Sequence, residues 1–209
     1  MLRRKQVGQF TLGIRTLLSR GVTRWGIWVG LFVLGGCQCR ESRPDIKHVV
    51  VVSIDTLRAD FLGTYGHPYV KSPSIDGLAA EGVVFEKHMA SAPTTLASHT
   101  SLMAGVWPHT HGVPRNGFLV PLENVMLAEV LKDKGFRTAG FVGGYPLKKR
   151  YQFDQGIDHY DDRMDKRAEG IAVYGSQRSA KNIANALNKY LGSQPLKEEE
   201  QLFLFLHFL

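Results

Sequence analysis

Val49-Val50-Val51-Val52-Ser53-Ile54-Asp55 is a continuous β-branched run that ends in an acid. Branched side chains pack well on a pleated surface. An uninterrupted apolar run of this length reads as a strand buried on both faces of a mainly parallel sheet. The segments that follow alternate in period. Ser74 to Gly82 places apolar residues at helical spacing before a glycine stop, and Val83-Val84-Phe85 reads as a short strand. Residues 124–134 form an amphipathic pattern, with Asn124 as the expected cap and Gly135 as the stop. Phe136 to Val142 is the next expected strand, and residues 177–191 put Ala180, Ile183, Ala184, Leu187, Tyr190 and Leu191 on one helical face. Leu202 to Leu209 is a strand by composition. Strands alternating with helices predict an α/β fold, a mainly parallel sheet flanked by helices. In such sheets ligands collect beyond the carboxyl ends of the strands, so Asp55 is where chemistry is expected.

Charge separates this body from what precedes it. Residues 1–44 hold eight of the 26 basic residues and only Glu41 of the 19 acidic ones, so they carry the whole net charge of +7. The remaining chain is neutral, which leaves no electrostatic footprint for nucleic acid. The basic stretch leads into an apolar run over residues 25–36, too short to span a bilayer comfortably but of signal-peptide length. Leu34-Gly35-Gly36-Cys37 resembles a bacterial lipobox, in which slim residues precede a cysteine that is lipidated and becomes N-terminal after cleavage. The expected organisation is a signal peptide over 1–36, a polar tether over 37–46 and a folded domain over 47–209. Several acyl chains on Cys37 would anchor the chain to a membrane, facing the periplasm or the exterior. By analogy with lipoprotein sorting rules, Gln38 in place of an aspartate favours the outer membrane in a cell that has two membranes.

Three ordered stretches carry the chemistry. The first runs Ser53-Ile54-Asp55-Thr56-Leu57-Arg58-Ala59-Asp60 and on to Gly66. The second runs Ala92-Pro93-Thr94-Thr95-Leu96-Ala97-Ser98-His99 to Gly105, then Pro108-His109-Thr110-His111-Gly112. The third runs from Gly140-Phe141-Val142 to Gln155-Gly156-Ile157-Asp158-His159-Tyr160. In order and spacing they resemble the first half of a domain of the sulfatase family, in the alkaline-phosphatase superfamily, over residues 47–209.

That resemblance implies roles residue by residue. Asp55 falls where the family binds a divalent cation, usually calcium, and Thr56, standing where a second acid often follows, is expected to bring an uncharged hydroxyl to that metal. Thr95 takes the nucleophile position at the head of a helix, where exposed amides stabilise an oxyanion. In sulfatases that position is a cysteine or serine oxidised to formylglycine, which threonine cannot become. Threonine does serve as nucleophile in phosphodiesterase-like and phosphotransferase-like members. His99 stands where the family has an arginine and is expected to contact the substrate anion, and His111 is expected on the substrate side. Gly143-Gly144-Tyr145-Pro146-Leu147 lacks the lysine and histidine that hold sulfate in many sulfatases, with Lys148 and Lys149 close behind. The apolar strand at Leu202 to Leu209 stands where relatives continue into an Asp-Pro-His-like segment, so the chain is expected to be an N-terminal portion of the domain. The resemblance therefore implies metal-dependent hydrolysis of sulfate esters, or of phosphate esters given Thr95. Two other readings remain: a truncated, catalytically inactive lipoprotein, and a phosphoryl-group transferase of the same superfamily.

Overall fold

The computed structural model describes residues 46–165 and 177–209. The expected leader, Cys37 and the expected tether up to residue 45 lie outside the described residues. In chain order the regular elements are β1 (His48–Ile54), α1 (Pro73–Glu81), α2 (Thr95–Ala104), α3 (Pro108–His111), α4 (Leu127–Asp133), β2 (Arg137–Val142), β3 (His159–Asp161), α5 (Ala180–Ser193) and β4 (Leu202–Phe208). The strands form one sheet in the order β1-β4-β2-β3, every neighbouring pair parallel. The fold is α/β, a parallel sheet flanked by helices.

β4 explains this architecture. Leu202-Phe203-Leu204-Phe205-Leu206 has no polar position, so both faces must be covered, and it pairs with β1 on one side and β2 on the other. Successive side chains point to opposite faces. Phe203 and Phe205 enter a layer with Leu96, Ala97 and Met103 of α2, Val113, Val120, Met126 and Phe153. Leu202, Leu204 and Leu206 enter the opposite layer with Ala139 and Phe141 of β2 and Ile183 and Tyr190 of α5. Each fully buried leucine or phenylalanine stabilises the fold by about 1.5–3 kcal/mol. α5 starts at Ser179, whose hydroxyl accepts from the Asn182 amide as an N-cap.

Three local expectations are corrected. β1 is covered on one face only: Val50, Val52 and Ile54 are 54%, 55% and 41% exposed. The β-branched run encodes the strand, but the face that carries Val50, Val52 and Ile54 has no covering layer among the described residues. Val83-Val84-Phe85 forms no strand. No sheet edge reaches it, and the Phe85 carbonyl accepts from the Tyr65 hydroxyl at 3.0 Å instead. Asn124 does not cap α4. Its amide nitrogen donates to the carbonyls of His111 (3.0 Å) and Pro121 (3.1 Å). The helix begins three residues later, where the Glu129 carboxylate accepts from the Met126 amide at 2.8 Å.

The turn before β3 packs against the start of α4 with no space for a side chain. Gly156 has φ +77°, and a Cβ there would lie 2.7 Å from the Ala128 carbonyl carbon and closer still to the Glu129 amide nitrogen. Thr138 holds the turn, donating to the Gly156 carbonyl and accepting from the Asp158 amide, each at 2.8 Å. Gly156→Ala combines a left-handed residue with backbone overlap and is expected to cost about 3 kcal/mol. Urea unfolding measures it, and an unchanged midpoint would contradict this packing.

Candidate active site

Two elements meet where β1 ends. Asp55 is the first residue past the strand, tied to β4 by its amide, which donates to the Phe208 carbonyl at 2.9 Å. Its side chain is 15% exposed. α2 begins opposite it, and the Thr95 hydroxyl donates to Asp55 Oδ2 at 3.0 Å. The next amide of that first turn, from Leu96, is taken by Asn116 Oδ1 at 2.8 Å. Gly105 closes the helix in the left-handed conformation, φ 68°. Thr56 is exposed and itself left-handed at φ 59°. A β-branched residue held there costs roughly 1–2 kcal/mol, so the turn directly after Asp55 stores backbone strain.

His99 is nearly buried and occupied on both ring nitrogens. Nδ1 lies 2.7 Å from the Thr95 carbonyl and Nε2 lies 2.7 Å from Ser53 Oγ. A carbonyl only accepts, so Nδ1 carries the hydrogen and the neutral ring accepts from Ser53. Burial lowers the His99 pKa, against the Thr95 carbonyl and the Asp55 charge. The anion contact expected of His99 does not match this placement. The imidazole is a latch that joins the first turn of α2 to β1, and it thereby sets the distance between Thr95 and Asp55.

His111 is also placed differently from the substrate-side expectation. It is 1% exposed, with Ser101 Oγ at 2.9 Å from Nε2 and the Val113 amide donating to Nδ1 at 3.1 Å. Those bonds brace α2 against the loop after α3. Lys148 lies over the Tyr145 ring, 5.9 Å from its centroid, and Lys149 is exposed.

The residue that sequence reasoning missed is His207. The parallel register sets it beside Ser53 of β1 and Val142 of β2, on the face that carries Phe203 and Phe205. It is fully buried, and neither ring nitrogen has a hydrogen-bond partner among the described residues. Nε2 stands 3.5 Å from Asp55 Oδ2, beyond ordinary hydrogen-bond length. The His99 ring crosses it edge-on at 4.9 Å. Burial, with His99 beside it, pushes the His207 pKa down to about 4 against the pull of Asp55. The ring fits because Gly144 has no side chain: a Cβ there would lie 2.9 Å from His207 Cε1. The signal in the sequence is a single histidine near the carboxyl end of an otherwise apolar strand.

The donors therefore gather around one oxygen. Asp55 Oδ2 has Thr95 Oγ1 and His207 Nε2 about it, a carboxylate, a hydroxyl and an orphaned buried imidazole. These groups fit part of the shell of a divalent cation. Among the described residues no three His, Cys, Asp or Glu side chains converge, so those residues bring Asp55 and His207 together as a pair.

The Ser53–His99 bond is the joint on which this arrangement depends. Ser53→Ala leaves a buried imidazole acceptor without its donor, expected to cost about 1–3 kcal/mol. Chemical denaturation reads the loss, and an unaltered midpoint would remove His99 as the latch.

Comparison with known proteins places the chain in a family. The sequence profile of the Sulfatase family matches residues 47–209. The ulvan-active sulfatase of Formosa agariphila is 33% identical over 100 residues, covering 48% of this chain and 20% of that protein. Human arylsulfatase A is 34% identical over 112 residues, covering 51% of this chain and 22% of that one. A solved structure described as a complex with its substrate D-glucosamine-2-N,6-O-disulfate superposes with a TM-score of 0.63 at 15% identity, over 78% of this chain and 34% of that one. The matched part is thus about a fifth of the length of these two curated relatives. With three motifs in order, a parallel sheet and a strand-end acid facing a helix-head hydroxyl, the chain belongs to the sulfatase family.

Proposed function

We propose that this chain carries the nucleophile and part of the cation site of a metal-dependent sulfate-ester hydrolase. The observation that carries the reading is the 3.0 Å hydrogen bond from Thr95 Oγ1, at the head of α2, to Asp55 Oδ2 at the end of β1. Asp55 would hold the divalent cation with Thr95 beside it. Thr56 adjoins the site in sequence but is exposed and brings no charge. A bound cation would lower the pKa of a coordinated hydroxyl and neutralise charge on the ester oxygens.

The chain's own groups supply orientation and a path for the proton. Asp55 Oδ2 holds the Thr95 hydrogen, which leaves an oxygen lone pair for attack on the sulfur. The sulfur–oxygen bond to the alcohol breaks, the departing oxygen takes up the proton that Thr95 gave to Asp55, and the sulfuryl group rests on Thr95 Oγ1. Water then attacks that sulfur, restoring the threonine hydroxyl and releasing hydrogen sulfate. His99 holds the α2 turn through Ser53, and its role is positioning. Because Thr95 cannot become formylglycine, the same sequence on a phosphate ester is the second reading, and Thr95 itself favours it.

The test is turnover of an aryl sulfate and of a phosphate diester, with and without a chelator. Thr95→Ala is expected to lower kcat/KM by at least about 10³-fold, as loss of an attacking group does. Activity retained in that variant would overturn the assignment, and a preference for the diester would move it to the second reading.

We also propose that the protein is a lipoprotein of the cell envelope, anchored through Cys37 in the lipobox-like Leu34-Gly35-Gly36-Cys37. Labelled palmitate is expected to enter the protein in cells and to be lost in Cys37→Ala. Equal labelling of both would refute the anchor.

A further inference from the structure

His207 has no task in the hydrolysis just described, and its environment is costly. An imidazole that is fully buried, with neither nitrogen in an ordinary hydrogen bond among the described residues, forfeits hydrogen bonds that water would give it. Such a group persists where something other than fold stability holds it. The ring is also set in place from several sides. β4 fixes its backbone between Ser53 and Val142, the absence of a Cβ at Gly144 admits it, and the His99 ring closes one side.

Its Nε2 lies 3.5 Å from Asp55 Oδ2. That separation is long for a hydrogen bond, where N···O distances run about 2.7–3.2 Å. It is close to the edge of a metal tetrahedron, roughly 3.4 Å for bonds of about 2.0–2.1 Å. Thr95 Oγ1 lies 3.0 Å from the same carboxylate oxygen, so a hydroxyl and an imidazole both lie beside that oxygen.

We infer that His207 Nε2 is a cation ligand beside Asp55, and that the site therefore takes a borderline d-block dication such as zinc in preference to calcium. The inference rests on the proposal that Asp55 holds the metal. Calcium takes about six to eight oxygen donors and gains affinity from carboxylate count. Here the described residues bring one carboxylate, the following residue is the exposed Thr56, and the buried donor beside it is a nitrogen. Imidazole nitrogen suits zinc and its neighbours, and oxygen-only shells suit calcium. The remaining coordination positions would be filled by water or by groups outside the described residues.

The experiment uses the 209-residue chain, stripped with a chelator and titrated separately with zinc chloride and calcium chloride. Calorimetry gives the dissociation constants, and nitrogen-15 spectra of the histidine rings show which nitrogen responds. Tighter binding of zinc than of calcium is expected, with a zinc-dependent displacement of the His207 Nε2 resonance. His207→Gln is expected to raise the zinc Kd at least about tenfold and to leave the calcium Kd unchanged, while Asp55→Asn weakens both. If Asp55→Asn loses zinc and His207→Gln does not, the metal reading of the site survives and the ligand role of His207 is overturned. If neither variant changes binding, both fall. Should His207→Gln fail to fold, the unsubstituted chain still decides: no displacement of His207 Nε2 at saturating zinc overturns the inference.

Discussion

The registration of β4 between β1 and β2 is the constraint on which the site depends. It sets Ser53 level with His207 and lets the Asp55 amide reach the Phe208 carbonyl. Because side chains alternate along a strand, a slip of one residue would exchange His207 with its neighbours and aim it at α5. The apolar content of β4 protects against that slip. Phe203 and Phe205 fill the α2 layer, and Leu202, Leu204 and Leu206 fill the α5 layer. The chemistry at the end of the sheet is therefore a consequence of packing in its middle.

Polar groups buried beyond that packing are joined into one unit. His99 ties Ser53 to the Thr95 carbonyl, Thr95 ties α2 to Asp55, and His207 lies against both His99 and Asp55. Burying imidazoles lowers their pKa, and leaving one without a partner forfeits stability. Thr56 adds backbone strain directly beside Asp55. Costs concentrated within a few residues at a strand end are what a site built for binding displays, since a purely structural junction is better served by apolar groups.

His111 and His99 illustrate how burial changes the meaning of a residue. Both are histidines in family-like segments, and both ended as braces with each ring nitrogen occupied by a local partner. His207, in a segment that read only as a strand, is buried with neither ring nitrogen hydrogen-bonded among the described residues. A residue's chemical availability is decided by what its atoms already touch.

Much of the fold was legible in the chain itself. The β-branched run before Asp55, the apolar run over β4, the amphipathic face of α5 and the glycine after α2 are local patterns, and local patterns dictate local structure. Asp55 and Thr95 were recognisable because their motifs are contiguous. The failures share one cause. Among the described residues Val83-Val84-Phe85 has strand composition without a strand to pair with, Asn124 bonds to His111 instead of capping α4, and β1 is covered on one face. Sequence by itself thus determined β1, β2, β4 and α5, together with the strand-end acid and its helix-head hydroxyl. Only the tertiary structure decided that His99 is a latch, His111 a brace and His207 the nitrogen beside Asp55. Those roles depend on distances between residues far apart in the chain, which hydrophobic period and motif spacing do not contain.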